Sequence, residues 1–206
     1  MTATTLFYFL CASAALTISP GPDNLFVLTQ GIARGRKPAI VTALGMCSGV
    51  TVHTALAALG ISAIFHSSIL AFNVVKYAGA AYLIYLAYKT LSERSTVRLA
   101  EAVDLPTFSL YKRGFIMNVL NPKVAMFFLA FLPQFVAPTS EHVSLQMLVL
   151  GLIFMLQAIV IFCLIGYFAG SVGQFILSRP KMAKYLDWLT AGVFVSLGLR
   201  LALAER

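Results

Sequence analysis

The chain is short of charge. Only 11% of its 206 residues are charged and just seven are acidic, against 60% apolar residues and a mean hydropathy of +0.89. A soluble domain of this size would have too little polar side chain to cover its surface. Cysteine and histidine are scarce as well, three of each. Cys11, Cys47 and Cys163 lie inside apolar stretches without metal-ligand spacing, and they read as small apolar side chains. His53, His66 and His142 form no His-Glu-x-x-His pattern, and Asp23 has no second intramembrane acid near it. These absences argue against metal-dependent hydrolysis and against a paired-carboxylate enzyme, and no cofactor or metal is expected. No Lys or Arg precedes Ala12-Ser13-Ala14 and little apolar sequence stands before it, so no cleaved signal peptide is expected.

What is present is a set of apolar segments. The first is split, at about 4–18 and 23–34; the others run at about 39–64, 69–91, 109–136, 144–171 and 184–203. Each is long enough to span a bilayer. The predicted fold is therefore an all-α integral membrane protein of six transmembrane helices, a single domain over residues 1–206. The polar stretch at about 93–107, with Glu93, Arg94, Arg98, Glu101, Asp104 and Pro106, is a linker between a repeat at about 1–92 and another at about 108–206. Three spans per repeat would give the two halves opposite topology, the arrangement of inverted-repeat transporters. Pro22-Asp23 against Pro122-Lys123, and Ala78-Gly79-Ala80 against Ala191-Gly192-Val193, are faint echoes of such a repeat.

The net charge of +8 does not imply nucleic acid, because the basic residues sit in short connections. Arg34, Arg36, Lys37, Lys89, Arg94, Arg98, Lys112, Arg113, Arg179, Lys181 and Lys184 fall on one side, against Lys76, Arg200 and Arg206 on the other. That bias places the linker in the cytoplasm and both termini outside.

Two interruptions stand out. Ser19-Pro20-Gly21-Pro22-Asp23 breaks the first apolar run, and Asn121-Pro122-Lys123 breaks the fourth. As one straight helix, 4–33 would be about 45 Å long, well beyond a hydrocarbon core of about 30 Å. Broken helices survive in lipid only where protein or a water-filled cavity satisfies the freed backbone groups. Pro22 and Pro122 suit a first helical position and Asn121 an N-cap, so two half-helices should begin near the midplane, the second running through Phe135. Their positive ends would favour a carboxylate.

Asp23 suits a first helical turn, so a capping role and a substrate or proton role both stand open. Lys123 opposes the dipole and bears a membrane cost of about 2.5–3.5 kcal/mol or more. Asp23, a substrate carboxylate, access to water or reach to an interface would each offset it. Together the acid and base would hold a zwitterion. His53 is either a proton relay or a hydrogen-bond partner of a neighbouring helix. Asn118, Gln134, Gln157 and Asn73 read as links between helices, with Asn118 one turn from the second break. Lys76 and Arg200 are expected to reach the outer face, and Asp187 to pair near Lys184.

The combination Ser19-Pro-Gly-Pro-Asp-Asn24, Gly35-Arg-Lys37 and Ala43-Leu-Gly45 with Gly49 and Val52-His53 resembles the first half of a LysE/RhtB superfamily protein. Gly79-Ala-Ala-Tyr-Leu-Ile-Tyr-Leu86 is similar to that family's third helix. Asn118-Val-Leu-Asn-Pro-Lys123 with Phe127-Phe-Leu-Ala-Phe-Leu-Pro-Gln-Phe135 resembles its second-half signature. The resemblance covers essentially the whole chain. It implies a multi-pass protein of the cytoplasmic (inner) membrane that exports amino acids, driven by protons. The Pro-Gly-Pro-Asp form resembles the RhtB-like branch, whose cargo is neutral (homoserine, threonine, leucine). On this reading Pro22, Asp23, Asn24, Asn118, Asn121 and Lys123 bind substrate, and Asp23 and His53 are the proton-coupling candidates. The partners are an amino acid, protons and membrane lipid, with a homodimer left open. A structural or partner-binding membrane subunit is the other reading.

Overall fold

The computed structural model describes residues 1–19, 21–61, 69–92, 105–136, 142–170 and 180–203. Pro20, His66, most of the expected linker, Arg179 and Arg206 lie outside the described residues. Eight α-helices make up the described chain: α1 Ala3–Ile18, α2 Pro22–Arg34, α3 Arg36–Leu56, α4 Ile69–Ser92, α5 Thr107–Val119, α6 Pro122–Met126, α7 Val143–Phe168 and α8 Pro180–Leu203. There is no strand among the described residues.

Both interruptions are real bends. The pair α1 and α2 turns by 57°, and α5 with the stretch Pro122–Phe135 by 47°. Residues Arg36–Gly60 and Val143–Phe168 are each long and apolar enough to cross a membrane, and each bent pair qualifies as one further span. That gives two to four candidate spans among the described residues, where six were expected. α4 and α8 have 24 residues each, about 36 Å of helix. On α7 the exposed Leu145, Leu148, Leu152, Leu156, Val160 and Leu164 recur at helical spacing, an apolar stripe suited to lipid.

The second half-helix departs from the expected regular α-helix. After Pro122–Met126 the chain widens into a π-helix at Phe127–Phe131, then tightens into a 3-10 turn at Leu132–Phe135. Pro133 is the physical cause: it has no N–H for the carbonyl of Leu129, and its ring crowds that carbonyl in an α-helix. Leu132 N–H donates instead to Phe127 O, five residues back. A second π-helix, Ala57–Ile61, extends α3, and Ser144 Oγ donates to its Ala58 carbonyl at 3.0 Å.

α3 is the central element, packed on α2, α5 and α7, while α4 and α8 form a second pair. Glycine permits the closest approach. A methyl group on Gly45 would collide with the backbone carbonyl of Tyr111 in α5, and one on Gly114 with that of Thr42 in α3. Gly79 and Gly192, the expected repeat echo, are not equivalent in packing. Gly79 lies against Ala130, whereas Gly192 faces open space.

One end of the bundle is basic. Arg34 Nη1 donates to Leu105 O at 3.2 Å, the Arg36 guanidinium lies 3.9 Å over the Tyr167 ring, and Arg113 lies 5.1 Å over Phe26. At the other end Arg200 lies over the rings of Tyr8 and Phe135. Lys76, expected to reach the outer face, is instead buried on α4, and Asp187, expected at the interface near Lys184, is buried on α8. Just below Arg200, Phe9, Phe127, Phe131 and Phe135 pack with ring centres 5.2–6.2 Å apart.

Candidate functional site

The last carbonyls of α1 have no helical partner, because the chain breaks after Ile18. Ala15 O is taken by the backbone N–H of Ser19 at 3.0 Å. Each of the next four carbonyls accepts from a side chain. Lys123 Nζ donates to Leu16 O (3.1 Å) and Ser19 O (3.0 Å), while Asn24 Nδ2 donates to Thr17 O (2.9 Å) and Ile18 O (3.3 Å). A cation from α6 and an amide from α2 thus satisfy the negative end of α1. Lys123 and Asn24 were both expected in the site, but not in this role.

That geometry answers what offsets the Lys123 charge. Among the described residues Asp23 and Lys123 make no direct ion pair; the ammonium rests on backbone carbonyls. Gly21 makes room for it, since a Cβ there would lie 3.2 Å from Nζ. Asn121 Oδ1 accepts from the Lys123 backbone N–H at 3.0 Å, the N-cap its sequence position predicted.

Asp23, in the first turn of α2, is buried. Its Oδ2 accepts from Asn118 Nδ2 at 3.0 Å, and the Asn118 backbone carbonyl lies 3.0 Å from His53 Nε2. A carbonyl can only accept, so that ring nitrogen carries a proton. His53, Asn118 and Asp23 therefore form one buried chain linking α3, α5 and α2. His53 stands at the frayed end of α5 much as Lys123 stands at that of α1.

A cavity sits where the breaks meet, lined on the polar side by Thr17, Asp23, Asn24, Asn118 and Lys123. Met46, Val50, Phe154, Ala158 and Phe162 form much of its apolar wall. The centre of a water molecule can range over about 20 Å³ of it, room for one or two waters. The space is partly enclosed. Phe154 packs on Phe127 and Phe128 at 5.3 and 5.1 Å, joining the wall to the aromatic cluster.

Several buried polar atoms around it have no partner among the described residues: Asp23 Oδ1, Asn24 Oδ1, Asn118 Oδ1 and Asn121 Nδ2. The amide orientations are fixed by chemistry. Asn24 and Asn118 donate to oxygens that only accept, and Asn121 accepts from an N–H, so the opposite atom is the free one in each case. Three of the four free atoms are acceptors on cavity-lining residues, a set matched to an ammonium group.

Of the expected site residues, Asp23, Asn24, Asn118 and Lys123 line the cavity. Asn121 and Pro122 shape the start of α6, Pro22 starts α2, and His53 reaches the site through Asn118. Sequence reasoning did not single out Thr17, whose hydroxyl accepts from Gln157 Nε2 at 2.8 Å. Its one signal was its place in the last turn before the first break. Gln157 does link helices as expected, whereas among the described residues Gln134 bonds within its own segment, to Ala130 O.

A family model described as LysE type translocator matches residues 14–205. The chain is 32% identical to a homoserine/homoserine lactone efflux protein of Salmonella typhimurium, over 97% of this chain and 96% of the relative. It is 31% identical to a leucine efflux protein of Salmonella choleraesuis, over 94% and 92%. It is also 30% identical to a protein of Vibrio cholerae named only as a membrane protein, over 96% of each. No solved structure matches it.

Proposed function

We propose, from the premise that this chain belongs to the LysE type translocator family, that it exports amino acids with uncharged side chains by alternating access. It is a transporter rather than an enzyme, and a multi-pass protein of the inner membrane. The carrying observation is the cavity between the two broken helices. Its lining residues carry three unpartnered acceptor oxygens, one of them on the Asp23 carboxylate, and form an apolar wall.

The substrate ammonium would meet Asp23 Oδ1 with the amide oxygens of Asn24 and Asn118. Its carboxylate would take the remaining Lys123 N–H, Asn121 Nδ2 and the free N–H groups opening α2. Met46, Val50, Phe154 and Phe162 suit an uncharged side chain, and the names of the relatives point to the same class of cargo.

The cavity is too small for an amino acid, so the halves would part to load and release. Six spans in two inverted repeats fit this reading. α3 against α7 and α4 against α8 are the two pairings a two-fold axis in the membrane plane would place on itself. With the basic end in the cytoplasm, the aromatic cluster would close the outer side. Protons would exchange at Asp23, with His53 joined to it through Asn118. Each charge moved is worth about 2.3 kcal/mol per 100 mV.

The test is purified protein in liposomes, assayed by counterflow against a panel of radiolabelled amino acids. Leucine- or homoserine-type cargo should exchange, and lysine should not. Asp23→Asn should abolish net efflux driven by a proton gradient. Wild-type protein that carries no amino acid alone would leave the partner-binding reading standing.

A further inference from the structure

One turn of α2 carries polar groups that the site does not use. Gln30 is 0% exposed, and neither its Oε1 nor its Nε2 has a partner among the described residues. Thr29, 2% exposed, has an unpartnered hydroxyl. Burying unmet hydrogen-bonding groups is unfavourable, and an apolar pair would fill the same space without that penalty. Their retention in this conformation points to a state in which something meets them.

Position says what that is. Gln30 lies seven residues after Asp23, two helical turns and about 10.5 Å along the same face of α2. Arg34, one turn further on that face, stands at the basic end. Between the two polar levels are the buried Phe26 and Val27, with the Arg113 guanidinium over the Phe26 ring. At the level of Gln30 the bundle is shut by small residues: a methyl on Gly31 would meet Ala169, Gly166 and Ala39. Such a smooth seam can part without disturbing large interlocked side chains.

We propose that Gln30, assisted by Thr29, is a second amino-acid subsite on the cytoplasmic side of Asp23, occupied before the zwitterion passes Phe26. This rests on the export reading above. A primary amide offers two donors and an acceptor at one point, so it can take the carboxylate through Nε2 and the ammonium through Oε1. It carries no charge that would hold the cargo fast.

The test is export from inside-out proteoliposomes, with whichever of radiolabelled leucine and homoserine the wild-type protein carries. Gln30→Met keeps length and flexibility but removes all hydrogen bonding. It should raise the half-saturating concentration on the cytoplasmic side by about three- to tenfold, as loss of one or two neutral hydrogen bonds implies. Maximal rate should change less, and the melting temperature should stay level or rise. Thr29→Val, isosteric, should move transport in the same direction by less, and it decides the matter if Gln30→Met does not assemble. Unchanged half-saturation in the variant that assembles overturns the proposal. So does a lower melting temperature with a parallel loss of rate, because Gln30 would then be serving the protein rather than the cargo. If the wild-type protein carries neither probe, the export reading itself fails, a result separable from indifference of the variants.

Discussion

Asn118 donates its side-chain N–H to Asp23 at 3.0 Å, across 95 positions of sequence. The bond ties the end of α5 to the start of α2. It makes the two interruptions one structure rather than two.

Asn118→Leu removes the side-chain donor to the Asp23 carboxylate and leaves that buried acid with no hydrogen bond from a side chain among the described residues. Hydrogen bonds to a charged group contribute about 1.5–3 kcal/mol, so export should fall by about ten- to a hundredfold. Counterflow at saturating cargo is the measurement. Retention of wild-type rate would mean that Asp23 needs no positioning.

Lys123→Met should destabilise the protein. It frees the carbonyls of Leu16 and Ser19 inside the bundle, at about 1–3 kcal/mol each. Removing an intramembrane cation returns about 2.5–3.5 kcal/mol. The two effects are comparable, so the net loss should be modest and the melting temperature only slightly lower. A large fall in export with little thermal change would assign Lys123 to cargo as well as to α1.

Gly45→Ala and Gly192→Ala separate packing from helix propensity. The first puts a methyl into the Tyr111 backbone and should cost about 1–3 kcal/mol. The second meets nothing within 4 Å and should be neutral or stabilising by up to about 1 kcal/mol. Thermal denaturation in one detergent compares them directly.

Ala158→Phe fills the cavity wall beside Phe154 and Phe162. Transport of leucine-sized cargo should fall more than that of smaller amino acids. An equal loss for all sizes would argue that the cavity holds only the backbone end of the cargo.

Much of the fold was legible because its signals are local. Proline and glycine dictate where a helix stops, so the breaks before Pro22 and Pro122 fall where the sequence put them. A run of twenty apolar residues has few alternatives to helix in lipid. The π and 3-10 turns at Phe127–Phe135 were missed, although Pro133 within the run was the available signal.

The sequence alone determined that the chain is apolar and helical, and that Asp23 and Lys123 start half-helices at two breaks. Local backbone chemistry decides those features. It did not determine which partner each charge takes, because an ion at the end of one helix is satisfied by whatever another helix brings to it. Only the tertiary arrangement set Lys123 on the α1 carbonyls, joined Asp23 to His53 through Asn118, and left unpartnered acceptor oxygens on residues that line the cavity.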